Sequence, residues 1–553
     1  MGREHGVGLR RRRVIGVALV AAIVAVTGAC SSDDDEAGGS STTASSTSTS
    51  APAVCEPATT DVVSTPVEGS TTDVDVTSFD GTVIRAHWFP VEGATGPSPT
   101  VLMGPGWGSA GDTEVDTVGV LGAVNIGTLR GAGYNVLTWD PRGFGASGGA
   151  AQVDSAEYEG RDVQQLLSWV AARPEAALEE PGDPTVGMVG GSYGGGIQLV
   201  TAAMDCRVDA IVPIIAWHSL GTSLYKDQTY KQGWAEILSA VAARATLNPI
   251  ITEANQQGLR TGVLTDEQIE WFLDRGPAEA VADITAPALI VGGTVDTLFT
   301  LDEDVTNYRM LRDAGTTTAM YWFCGGHGSC LTEKGDQQRM VDRIVAWLDR
   351  YVKGDESVDP GATFDFLDQD GTRYVGDDYP LPADDPITAE GSGELGLIAG
   401  GGSGPATVPE GKEDLLSGVA GNIIPSPATR GVEVPIGIDR DAMVVGAPEL
   451  TLTYSGTVPD GERPERLFAQ IVDRATGLVV GNQITPVAVT LDGQQHTVKV
   501  PLEVIAHKVT PQSDLALQVV ATTTLYGEPR LGGTVDLTKI GIKLPTVAGY
   551  RPA

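Results

Sequence analysis

From residue 100 onward the chain alternates short apolar runs with longer segments of helical period. The runs fall at residues 101–103, 136–139, 186–189, 210–216, 289–291 and 320–323. Between them lie segments such as 158–172, where Val163, Leu166, Leu167 and Val170 share one helix face. This alternation predicts an α/β fold: a mainly parallel sheet covered by helices on both faces. Just upstream, residues 74–90 alternate at period two around Asp80-Gly81, which predicts a β-hairpin.

The alternation is interrupted once. Between about 218 and 283 no strand pattern appears, and 234–243 and 266–273 read as helices. An insertion between two strands, at the sheet end where active sites form, predicts a helical cap. A final amphipathic helix is expected over 334–353, with Met340, Ile344, Trp347, Leu348 and Tyr351 on one stripe. Residues 355–430 are rich in Asp, Gly and Pro. Beyond them the period becomes two, as in Leu450, Leu452, Tyr454 and in Leu515, Leu517, Val519. Short alternating strands between turn residues predict an all-β sandwich. The expected organisation is therefore an α/β unit over 61–354, then a linker and β-sandwich over 355–553.

The first 60 residues follow different rules. Arg10–Arg13 are basic, 14–29 are apolar over a length short for a membrane span, and Thr27-Gly28-Ala29 precede Cys30. Small residues before a cysteine resemble a bacterial lipobox, so 1–29 are expected to be a signal peptide and Cys30 a lipidated N-terminus. Secretion without a lipid is the plain alternative. Residues 30–60 are largely Ser, Thr, Asp, Gly and Ala, a flexible tether that cannot bury a core. The formal net charge of −36 argues against nucleic acid as a partner. With Cys30 lipidated, four cysteines remain in an oxidising compartment, and three pairings are possible. Cys324 with Cys330 closes the smallest loop and is favoured, leaving Cys55 with Cys206. Their spacing does not suggest zinc, and no metal site is expected.

One stretch carries chemistry. The run at 186–189 feeds directly into Gly190-Gly191-Ser192-Tyr193-Gly194, and a helical pattern follows. Strand, tight G-x-S-x-G turn and helix together make a nucleophile elbow. A phosphate-binding turn is the competing reading, but no Gly-Lys-Ser/Thr ending is present. A serine hydroxyl needs a base. His327 lies in a glycine-flanked loop just after the last apolar run, and Asp296 stands just past the run at 289–291. Ser192, Asp296, His327 is the chain order of α/β-hydrolases. The oxyanion donors are expected from the Tyr193 backbone and from the loop Gly104-Pro105-Gly106-Trp107-Gly108. Trp217, His218 and Phe299 are candidates for the substrate pocket. Asp140 and Arg142 are expected to hold a turn.

These segments, with Asp140-Pro141-Arg142-Gly143-Phe144-Gly145-Ala146-Ser147-Gly148, resemble the X-Pro dipeptidyl-peptidase (S15) and cocaine-esterase-like (CocE/NonD) hydrolases. Gly190 to Gly195, 293–299 and 326–328 match motifs of that family. The resemblance implies an α/β-hydrolase fold with a helical cap, followed by a jelly-roll-like sandwich. It also implies ester or amide hydrolysis, with an X-Pro dipeptide as one substrate class, and no cofactor. In such proteins a tyrosine often serves the oxyanion where this chain has Trp107. The substrate is expected to be a small ester or short peptide; nothing in the chain sets an oligomeric state. The rival reading is an inactive surface lipoprotein that binds glycans or peptides through the sandwich.

Overall fold

The computed structural model describes residues 61–117, 119, 122–413 and 415–553. Cys30 and Cys55 lie outside the described residues, as do the expected signal peptide and tether. The described residues form one compact unit.

Its centre is a twelve-stranded mixed sheet. The middle is parallel, in the spatial order Asn135–Trp139, Thr100–Gly104, Val186–Gly191, Ala210–Ile214, Ala288–Gly293, Thr318–Phe323 and Phe364–Leu367. These strands are buried along their whole length, which is why the first six read as short apolar runs without alternation; Phe364–Leu367, interrupted by Asp365, does not. The predicted hairpin, Asp73–Thr77 with Val83–Phe89, pairs antiparallel at one edge. Val163, Leu166, Leu167 and Val170 are buried against the sheet from Arg161–Ala171. Gln338–Tyr351 covers the other face through Met340, Ile344, Trp347 and Leu348.

The cap lies between the strands Ala210–Ile214 and Ala288–Gly293, as expected. It contains Leu220–Leu224, Gln232–Val241, Pro249–Thr261 and Asp266–Leu273. Pro249–Thr261 was not anticipated, although its signals are ordinary. Asn248 accepts a hydrogen bond from the Ile250 amide, Pro249 opens the first turn, and Gly262 ends the helix at φ +76°.

The C-terminal region holds two four-stranded antiparallel sheets, Ile387–Gly396 with its neighbours and Gly431–Ile436 with its neighbours. They face each other over one core that includes Leu452, Leu467, Leu517 and Ile540. The expected boundary at residue 354 is not where the first sheet stops. Phe364–Leu367 and Arg373–Gly376 extend it, and the last strand, Tyr550–Pro552, completes its edge. Met443, Val445, Val504 and Ala506 of the β-rich region also pack into the core of the large sheet.

Candidate active site

The strand Val186–Gly191 turns into the helix Tyr193–Met204 with Ser192 at φ +56°, ψ −117°, a strained backbone for a residue with a side chain. The turn is possible because its neighbours lack Cβ atoms. A Cβ on Gly194 would stand 2.2 Å from the Gly104 carbonyl oxygen, and one on Gly190 would stand 2.5 Å from the Gly194 carbonyl oxygen. The first strand of the core and the new helix therefore touch backbone to backbone, and Ser192 projects above the carboxyl edge of the sheet.

Two loops from neighbouring strand ends meet that hydroxyl. His327 Nε2 lies 2.8 Å from Ser192 Oγ, and His327 Nδ1 lies 2.7 Å from Asp296 Oδ2. Asp296 is fully buried. The amides of Leu298 and Phe299 both donate to its Oδ1 at 2.8 Å, and the His327 amide donates to its Oδ2 at 2.9 Å. A carboxylate only accepts, so the imidazole hydrogen sits on Nδ1 and the Nε2 lone pair faces the serine. The rings of Phe299 and Trp234 stand edge-on to the imidazole at 5.0 and 5.7 Å. Cys324 and Cys330 form the expected disulfide and close the loop that bears His327.

Other sequence-derived expectations fare unevenly. Tyr193 heads its helix, with its amide beside Ser192. Its ring is buried against Trp107 and Trp217, and its hydroxyl donates to Glu159 Oε1 at 3.3 Å and accepts from the Asp154 amide at 3.4 Å. Burial pushes the Glu159 carboxyl up to about 7, and burial also raises that of Asp154. Trp107 lies in the loop facing Ser192, but its indole N–H donates to the Leu238 carbonyl at 3.1 Å. The indole N–H is thus bonded to the cap. Trp217 and Phe299 line a cavity beside Ser192. His218 does not: its Nδ1 pairs with Asn307 at 3.0 Å, and its amide donates to Glu303, because the helix Leu301–Ala314 offers these partners behind the cap. Asp140 accepts from the amides of Gly111 and Ala146, and Arg142 forks onto Asp162 with two 2.7 Å bonds, so both hold turns as expected. His87 is buried between Asp73 and Asp140, because the hairpin folds that strand onto the turn.

Three supporting residues escaped sequence reasoning. Gln483 Nε2 donates to the Asp296 carbonyl at 2.8 Å, and Asn482 Nδ2 donates to the Ser329 carbonyl at 2.9 Å. Both come from the β-rich region, 187 and 153 residues away in the chain. Lys231 of the cap is buried, and its ammonium donates to the carbonyls of Thr297 and Leu298, each at 3.0 Å. Nothing local in the sequence marks any of them.

A hydroxyl on a strained strand–helix turn, hydrogen-bonded to an imidazole that is in turn bonded to a buried carboxylate, on this sheet, defines a serine hydrolase of the α/β-hydrolase class. Residues 80–328 match the model of the X-Pro dipeptidyl-peptidase (S15) family, the family its motifs resemble. A CocE/NonD family hydrolase from Staphylococcus aureus shares the fold at a TM-score of 0.62 and 14% identity, covering 86% of this chain and 93% of its own. An aminopeptidase from a marine-sediment Thaumarchaeota archaeon does so at a TM-score of 0.62 and 14% identity, covering 86% and 96%. A polyketide transferase from a Penicillium species is 27% identical over 143 residues, which are 26% of this chain and 44% of that protein. The chain thus spans less than half the length of that curated relative.

Proposed function

We propose that the protein is an exported serine hydrolase that cleaves esters or amides through an acyl-enzyme on Ser192. The observation that carries this reading is the unbroken chain Ser192 Oγ, His327, Asp296, with contacts of 2.8 and 2.7 Å. Ser192 Oγ attacks the substrate carbonyl carbon while His327 Nε2 takes its proton. The Tyr193 amide and an amide of the 104–108 loop stabilise the oxyanion. His327 then returns the proton to the departing oxygen or nitrogen, and a water repeats the sequence to free the acid. Asp296 fixes the imidazole tautomer throughout. This chemistry requires no metal or organic cofactor.

The family name favours X-Pro dipeptides as a second reading. A dipeptidyl peptidase must hold a substrate ammonium with a carboxylate. Among the described residues lining the cap cavity beside Ser192 none is acidic; Asp112, on the other space bordering Ser192, already accepts from the Glu114 amide and the Thr117 hydroxyl. Esters need no such group and are the better-supported substrates. A panel of p-nitrophenyl esters and X-Pro-anilides tests the choice: ester turnover that disappears in Ser192→Ala is expected, and turnover of X-Pro-anilides alone would reverse it.

Export with anchoring through Cys30 is the second part of the proposal, supported by Arg10–Arg13, the apolar stretch 14–29 and the small residues before Cys30. Detergent partitioning of the protein expressed from its full chain tests it. A Cys30→Ser variant is expected to leave the detergent phase; equal partitioning of both would contradict a lipid on Cys30.

A further inference from the structure

Ser192 stands where two spaces meet. One is a cavity of about 110 Å³ beneath the cap. The other is a cleft of about 540 Å³ along the 104–110 loop. Ser192, Trp107 and Leu238 border both. His327 borders only the cleft.

The chemistry of the triad orients a substrate across this divide. The group that departs must receive its proton from His327 Nε2, so it must lie on the histidine side, in the cleft. The acyl remainder, still bonded to Ser192 Oγ, is directed the other way, into the cap cavity. The cavity wall states what that remainder can be. Leu220, Leu224, Leu247, Ile251, Ile269 and Phe272 supply apolar surface from the cap helices. Several polar side chains in the wall are committed to partners, whereas the Trp217 indole N–H is buried without one among the described residues. Tyr230 donates to Asn255, Asn255 donates to Ser239, the Tyr225 hydroxyl accepts from the Leu264 amide, and Lys231 donates to Thr297 and Leu298. A polar or charged acyl group entering there would lose its water and find most of its potential partners already bonded.

Resting on the hydrolase reading above, we infer that the cap cavity is an acyl site for an apolar chain longer than acetyl, and that the polar alcohol leaves through the open cleft. The reaction balances as an ester hydrolysis. The Ser192 Oγ–carbonyl bond forms as the ester C–O bond breaks, the alcohol departs with the proton from His327, and water then yields the free carboxylic acid and the original serine.

Two isomeric esters separate this orientation from its reverse. Ethyl octanoate carries its chain on the acyl side, and octyl acetate carries the same atoms with the chain on the alcohol side. Acid release from both is followed at constant pH with the full chain. The wild-type protein is expected to prefer ethyl octanoate in kcat/KM by at least about tenfold, the scale of discrimination a hydrophobic pocket provides. Ala254→Phe, which adds a ring to the cavity wall, is expected to cut the ethyl octanoate value by about tenfold and the octyl acetate value much less. Leu224→Trp, on a different helix, should give the same selectivity if Ala254→Phe fails to fold. Preference for octyl acetate, equal use of the two isomers, or equal losses in the variants would overturn the assignment. Turnover of neither ester by protein whose Ser192 reacts with a fluorophosphonate would also overturn it. Failure of Ser192 to react at all would instead bring down the hydrolase reading itself.

Discussion

Ser192 adopts backbone angles that most residues avoid, and the fold can hold them because Gly190, Gly194 and Gly104 allow backbones to touch. The motif therefore reports a physical requirement, which is why this part of the site was legible: glycines two before and two after a serine have few other uses at a strand end. Asp296 was legible for a similar reason, since it follows a buried strand and precedes His327 in the expected order. Its carboxylate accepts three amides and the imidazole. Asp296→Asn replaces one acceptor by a donor and favours the wrong imidazole tautomer, so kcat is expected to fall by about 10⁴ with little change in stability, as steady-state kinetics beside a thermal melt would register. Glu159, beneath Tyr193, was not legible, because burial of a carboxyl depends on the whole fold. Burial raises it to about 7 from its ordinary 4.5. The folded state thus keeps a proton that the unfolded chain has released between pH 4.5 and 7. Stability from this group is full below that window and is lost as pH rises through about 7. Melting temperatures at pH 5, 6, 7 and 8 are expected to show a shallower decline for Glu159→Gln than for wild type; parallel curves would contradict this.

Among elements, the core strands were readable because each is buried on both faces, and the hairpin because it alternates. The helix Pro249–Thr261 was missed although Asn248, Pro249 and Gly262 mark both ends, since its own sequence, with two adjacent glutamines and a buried glycine, has weak apolar periodicity. Gly258 is needed there: a Cβ would meet the Tyr230 ring at 2.5 Å. The least readable element is the strand Leu478–Ala488. Its sequence does not alternate and gives no sign that Asn482, at φ +55°, and Gln483 reach the loops of His327 and Asp296. Gln483 acts as a positioning residue through the Asp296 loop. Gln483→Ala is expected to lower kcat by roughly tenfold, about one lost buried hydrogen bond, while KM stays within twofold. It should slow fluorophosphonate labelling in the same proportion. A purely structural role would lower the melting temperature and leave kcat per folded molecule unchanged.

At the scale of the molecule, the two regions read from the sequence are one mechanical unit. The β-rich region gives the large sheet its last strand, shares its core through Met443 and Val445, and pins the cap. Lys226 lies 2.7 Å from Glu503, whose other oxygen accepts from Thr300 at 2.8 Å. Burial works to raise the Glu503 carboxyl, but the Lys226 ammonium outweighs it and holds it at about 2. Such contacts join residues hundreds of positions apart, and no local pattern encodes them; this is why residue 354 looked like a boundary. Removing 550–553 uncovers the strand Arg373–Gly376 and the Tyr374 ring that packs on Tyr550 at 5.4 Å. The truncated chain is expected to lose about 1–3 kcal/mol, seen as an earlier urea midpoint, and to associate through the bare edge in light scattering. An unchanged midpoint would show that the edge strand adds nothing.

The most direct measurement is peptide mass mapping after treatment of the full chain with a fluorophosphonate. One adduct per molecule, on the peptide containing Ser192, abolished in Ser192→Ala and much slowed in Asp296→Asn, is the result expected of a hydroxyl activated by His327. An unlabelled protein, or an adduct on any other residue, would contradict the account.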